Sequence, residues 1–329
     1  MSLTADLLTT VLTAPPDQAW SQVADHLWAR FQAPIEGAVD TEVVRRDRSI
    51  TELDNILSGS GWDLWDAFEA SVPRASQALV EFWGRVQGGK AVLILDGLSL
   101  REAPWLLEQA QGRGYTIHQS CAQGSELPAE TTAFAHALGF PQRSALENNG
   151  ASGTHKLAGA VTETSELNFA DCVGMVGTQP DLVFWHHWPD EQLHHLSKPG
   201  DGLGKLAKAI QARLTSDEFW SFVERLATGR RLVITGDHGY AATGLFPDLA
   251  AKDQADHMKE VFKGQRSADG ATTDAPWVPP VEHSLTTTHG PHRYVLGRRK
   301  WKSPSGYPTL QHGGLSLLEV FVPFIEMSK

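Results

Sequence analysis

Five short stretches of this chain set acidic, hydroxyl or imidazole side chains beside apolar runs. Asp96 follows Ala-Val-Leu-Ile-Leu, Thr131 follows Leu-Pro-Ala-Glu, Asp190 and His194 come after Leu-Val-Phe-Trp, Asp237 and His238 come after Leu-Val-Ile-Thr, and His312 precedes two glycines. Oxygen and nitrogen ligands gathered at one edge of a parallel sheet would make a two-metal site. Such a site cleaves phosphate esters by clamping the attacking and leaving oxygens.

Each stretch has an ordinary alternative. Asp96 before Gly97 is a common turn or cap pair, and a threonine at the start of a helical stretch is most often a cap, with Thr132 having an equal local claim. Asp237 and His238 are stronger, because two adjacent ligands at a strand end before Gly239 would both need local partners. Asp190 and His194 stand four apart after Pro189, so a helix beginning there puts both on one face. His187 and His195 read as solvated or backbone-bonded, whereas His186 is a candidate substrate contact. His312 sits in Gln-His-Gly-Gly, whose glycines permit close backbone approach.

These residues need a scaffold. From Lys90 the pattern is strand, turn and helix in alternation, with apolar runs at 91–95, 115–120, 182–185 and 232–235 and helical patterns at 100–111, 202–214 and 217–226. It predicts an α/β fold, a central mostly parallel sheet flanked by helices. Residues 1–88 space their apolar residues by three and four, which predicts a small helical N-terminal lobe, with the catalytic domain over 89–329. Stretches 148–170 and 250–288 break the alternation and read as insertions over the active edge.

Composition narrows the classes. At 329 residues, 41% hydrophobic and 20% charged, the chain has the makeup of a globular protein. Its formal charge of -11 argues against a general nucleic-acid coat. Cys121 and Cys172 lack Cys-x-x-Cys spacing, so any metal must use His and carboxylates. The N-terminus has no Lys or Arg before Arg30, and no apolar run approaches spanning length, which predicts a cytoplasmic protein.

The order AVLILDGLS, LPAETTAF, WHHWPDEQLH, VITGDHG and QHGGLSLLEVFVPFIE resembles the PglZ family of the alkaline phosphatase superfamily, over roughly Val92 to Ile325. The resemblance implies an alkaline-phosphatase-like fold and two divalent cations; His and carboxylate ligands without cysteine suit zinc first and manganese second. Asp96, Thr131, Asp237 and His238 would hold one cation, and Asp190, His194 and His312 the other. The family's Pro-x-x-Thr pattern, counted from Pro128, implies Thr131 as the nucleophile that becomes phosphorylated. His194 stands where family members often carry an acidic residue. A threonine nucleophile implies the phosphodiesterase branch, and neither cysteine has a sulfatase setting. Family members occur in bacterial phage-defence systems with larger partners.

The densest positive run, HRYVLGRRKWK, offers Arg293 and Arg298 as substrate contacts, with Trp301 able to stack on a base. An edge strand protected by charge explains the run equally well. The expected function is therefore a phosphodiesterase or nuclease acting on nucleotide or nucleic-acid diesters. A metal-stabilised scaffold without turnover and a phosphomonoesterase are the alternatives. Rates on mono- and diesters distinguish them.

Overall fold

Strand β1 (Lys90–Leu95) is buried on both faces: Ala91, Leu93 and Leu95 enter one core, Val92 and Ile94 another. The same alternation runs through β4 (Asp181–His186), with Leu182 and Phe184 opposite Val183 and Trp185, and through β5 (Arg231–Gly236). Strands buried on both sides read as continuous apolar runs, which is why the sequence reveals them. The computed structural model describes residues 3–150, 153–270, 278–303 and 306–329.

These strands join β2 (Thr116–Gly124), β3 (Val161–Ser165) and β9 (Phe321–Ser328) in a six-stranded sheet ordered β2-β9-β5-β1-β4-β3. Strands β3, β4, β1 and β5 are parallel, and β9 runs antiparallel between β5 and β2. The protein is thus α/β with a central, mostly parallel sheet flanked by helices. The helices Ala103–Gly112, Leu203–Leu214 and Asp217–Ala227 cover one face, while Ala75–Arg85 and Thr131–Leu138 cover the other.

Residues Ala5 to Arg85 are helical, yet most of them share the sheet's own core. Trp20 meets Trp65, Phe68 and Phe321 at ring-centroid distances of 5.0, 5.1 and 6.0 Å. Buried Asp47 pairs with both Arg101 and Arg298. The helical segment is therefore fastened by apolar rings and by charge.

The two stretches expected as irregular insertions have structure. The first contains β3, an edge strand of the main sheet, with 151–152 outside the described residues. The second contains the helix Lys252–Phe262, then β6 (Ser267–Asp269) and β7 (Glu282–Thr287), which pair with β8 (Gly290–Val295) in a small antiparallel sheet; 271–277 lie outside the described residues. Met258, Phe262, Val295, Trp301 and Tyr307 form its separate core. Short strands of mixed polarity, one face exposed, carry too weak a period to stand out. No helix among the described residues is long and apolar enough to cross a membrane.

Candidate metal centre

Register gathers the candidate residues. Leu95 lies opposite His186 on one side and Gly236 on the other, so the chain leaves β1, β4 and β5 at one edge. Asp96 and Asp237 follow immediately, and Asp190 comes just after the His187-Trp188-Pro189 turn that leaves β4. Backbone bonds tie the segments: Asp96 N–H donates to His186 O at 3.0 Å, and Asp190 N–H donates to Asp96 O at 2.9 Å. Gly97, at φ 73°, turns the chain where a Cβ would approach Asp190 Cβ to 3.2 Å. The antiparallel β9 serves the same edge, since its start, Phe321, pairs with the end of β2, Gly124. Thr131 lies just beyond β2 and His312 just before β9.

Thr131 opens the helix Thr131–Leu138, whose N-cap, Glu130, makes no side-chain cap bond. The threonine hydroxyl points instead at carboxylates, 3.0 Å from Asp237 Oδ2 and 3.3 Å from Asp96 Oδ1. Thr132 is exposed. Asp237 is oriented by its other oxygen, which accepts from Gly97 N–H at 2.9 Å and from His238 N–H at 3.0 Å.

The imidazoles are oriented by backbone carbonyls. His238 Nδ1 lies 2.9 Å from Gly239 O and His312 Nδ1 lies 3.3 Å from Ala129 O. A proton donated there leaves Nε2 as a lone-pair ligand, the arrangement that fixes metal-binding histidines. Among the described residues, His238 Nε2 and Asp190 Oδ1 are buried without hydrogen-bond partners, which suits them to a cation. Asp190, His194 and His312 bring ligand atoms within 4.8 Å of one another, as do Asp96, Asp190 and His238. Asp190 thus belongs to both groups, where the sequence assigned it to one.

At Asp190 and His312 the electrostatics favour the ligating form. Burial opposes the charge on Asp190, but the His194 hydrogen bond at 3.1 Å, with His238 and His312 nearby, outweighs it and holds the carboxyl well below its usual range. Burial, reinforced by His238, lowers the His312 pKa and favours its neutral, ligating form.

One residue the sequence left without a role braces the whole edge. Buried Glu319 accepts from Arg266 Nε at 2.6 Å, Ser316 Oγ at 2.6 Å and Gly314 N–H at 2.8 Å, and its carbonyl accepts from Gly239 N–H at 2.9 Å. It therefore holds both the loop after His238 and the loop after His312. A Cβ on Gly314 would lie 2.9 Å from Arg266 Nε, so the glycine permits this approach. The stretch QHGGLSLLEVFVPFIE contains Ser316 and Glu319 and is the readable signal for Glu319; Arg266, distant in sequence, has none.

Three expected substrate contacts lie elsewhere. His186 is buried, with Nε2 2.8 Å from Leu167 O and Nδ1 accepting from Trp188 N–H; burial pushes its pKa down to about 4, and neither nitrogen is free for substrate. Arg293 is spent on Glu282, at 2.5 and 2.9 Å. Arg298 is buried against Asp47 and Asp54 of the N-terminal helices. Trp301 is likewise buried, packed on Phe262 and Tyr307, and presents no stacking face to a base. His195 is exposed, and His187 lies 3.9 Å from Glu166. The guanidinium that does reach the cluster is Arg143, whose Nη1 pairs with Asp96 Oδ2.

No family model matches the chain, and no curated protein matches it. Among solved structures, murine ectonucleotide pyrophosphatase/phosphodiesterase 5 is similar with a TM-score of 0.44 at 12% identity, covering 73% of this chain and 88% of that one. An inactive threonine-to-alanine variant of that protein in complex with AMP gives a TM-score of 0.43 at the same identity and coverage.

Proposed function

We propose that this chain is a two-metal-dependent phosphodiesterase that attacks phosphorus through Thr131. The observation that carries the reading is the Thr131 hydroxyl at a helix N-terminus, 3.0 Å from Asp237 and 3.3 Å from Asp96, beside buried His238 Nε2 and Asp190 Oδ1, which make no hydrogen bond among the described residues. A cap would turn that oxygen toward its own helix; here it faces potential ligands. Asp96, Asp237 and His238 would hold one divalent cation and Asp190, His194 and His312 the other, with Asp190 placed to contact both. Such cations, when bound, neutralise phosphoryl charge and lower the pKa of an attacking hydroxyl. Zinc suits the mixed His and carboxylate set, and manganese is the second choice.

The chain's own residues supply the rest. Asp237 and Asp96 aim the Thr131 oxygen, and the first turn of its helix presents N–H groups and a positive dipole end to the incoming phosphoryl group. Attack transfers the phosphoryl group to Thr131 and expels the leaving alcohol; water then releases it. The threonine nucleophile favours diesters, and the resemblance to the PglZ family favours partner proteins in phage defence; nucleotide or nucleic-acid diesters in the cytoplasm stay the proposed setting, without Arg293, Arg298 or Trp301 as substrate contacts. The cleft bounded by Glu130, Ser267, Asp269, His292 and His312 would receive the leaving group.

The test is hydrolysis of an aryl phosphodiester by chelator-treated protein with and without added zinc or manganese. Restored turnover, lost in Thr131→Ala, is the expected result. Full activity in that variant would remove Thr131 as nucleophile, and bound metal without turnover on monoesters, diesters and oligonucleotides would favour the scaffold reading.

A further inference from the structure

Arg143 stands at the start of the short 3-10 segment Arg143–Asn149, which follows the helix carrying Thr131. Gly139, at φ 87°, reverses the chain between them. The segment is fixed by buried Leu146, whose carbonyl accepts from Thr162 Oγ1 of β3 at 2.9 Å. From this platform the guanidinium reaches Asp96 Oδ2, and the two Asp96 oxygens lie 3.3 and 3.5 Å from Thr131 Oγ1. Arg143 and the Thr131 hydroxyl thus meet on one carboxylate. Asp96 is wholly buried, whereas the Arg143 side chain is 25% exposed, so the cation lies between the cluster and solvent. Asp237, Asp190 and Glu166 also act on it electrostatically.

Charge and shape set what this arrangement can bind. Three carboxylates leave two divalent cations with a single net positive charge, and the guanidinium adds another, matching the two negative charges, one from the diester and one from the Thr131 alkoxide, that meet at phosphorus during attack. A guanidinium also offers a planar fork of donors suited to two phosphoryl oxygens at once. A cation on Asp96 meanwhile opposes a metal ion seeking the same oxygen.

We propose that Arg143 is the phosphoryl-oxygen ligand of this site and that it competes with the metal for Asp96. The inference rests on the two-metal reading above. It assigns opposite effects to one side chain: Arg143 weakens metal binding and strengthens phosphate binding. A merely structural arginine would not separate the two.

The experiment compares full-length wild type, Arg143→Ala and Arg143→Lys in zinc titrations against a chromophoric chelator, then in calorimetric titrations of the zinc-loaded proteins with inorganic phosphate. Removing the guanidinium should tighten zinc binding by about 10-fold and weaken phosphate binding by about 10- to 100-fold. Lysine keeps the charge and loses the fork, so Arg143→Lys should hold zinc near the wild-type affinity and recover only part of the phosphate binding. If wild type binds zinc and cleaves diesters while both variants match it in zinc and phosphate affinity, the Arg143 inference falls and the two-metal reading stands. If wild type binds no zinc, both fall together.

Discussion

The hydroxyl of Thr131 lies 3.0 Å from Oδ2 of Asp237, although 106 residues separate them in sequence. The contact joins the first residue of one helix to the residue that follows a central strand, and it makes the hydroxyl testable apart from the side chain's shape. Thr131→Ser keeps an oxygen there and should retain measurable turnover, whereas Thr131→Val keeps the volume and should lose about 10³-fold or more in kcat. Zinc content, measured by atomic absorption, should stay at two ions in both, since Asp96, Asp237 and His238 remain. Equal rates for the valine variant and wild type would mean that phosphorus is attacked by something else.

Much of this edge was legible because a buried parallel strand announces itself and its next residue is fixed in place. Asp96, Asp190 and Asp237 follow such strands, and their convergence follows from the register of β1, β4 and β5. Charge was misread where burial decides its meaning. The run around Arg298 looks solvated, yet Arg298 closes a buried network with Asp47 and Asp54. Only the tertiary pairing reveals that, because neither partner lies near it in sequence. Arg143 is hidden for a related reason: it ends a loop, has no periodic signal, and acquires meaning only when the chain folds it back over Thr131. The antiparallel β9 has the same apolar texture as its parallel neighbours, and direction is not written in hydrophobicity.

Asp190 participates in both groups of potential ligands, which predicts an asymmetry among alanine variants. His312→Ala and His194→Ala should each weaken one ion, leaving about one tightly bound zinc per chain; His238→Ala should weaken the other. Asp190→Ala should weaken both, lowering the zinc content below that of any single histidine variant in the same chelator competition. A loss in Asp190→Ala confined to one ion would return Asp190 to a single site.

Glu319 and Arg266 form a buried, two-bond ion pair at 2.6 and 2.8 Å, and the same carboxylate holds Gly314 and Ser316. Glu319→Gln leaves the Arg266 charge buried without its counter-charge, at a cost of about 3–5 kcal/mol. Urea unfolding should register this as a lower midpoint. Replacing both residues with apolar ones should cost less than the single change, because the uncompensated charge dominates. Zinc affinity should also fall in Glu319→Gln, since the loop bearing His312 loses its brace; an unchanged midpoint would show that the pair is dispensable.

Glu102 carries a pH dependence of opposite sign to that of most acidic residues. It is fully buried, accepting from Ser99 N–H at 2.7 Å and from the Tyr240 hydroxyl at 2.7 Å. Burial pushes its pKa up from 4.5 to about 7, against the opposing pull of Arg101 and these hydrogen bonds. A raised pKa means that the folded state holds a proton the unfolded chain releases. The stabilisation is therefore complete below about pH 4.5 and is lost as pH rises to about 7. The loss across that window is of order 3 kcal/mol. Glu102→Gln, which cannot ionise, should gain stability relative to wild type by about 2–3 kcal/mol between pH 5 and pH 8, read from paired urea unfolding curves. A difference between the two proteins that does not change with pH would show that Glu102 is already ionised in the folded state at pH 5.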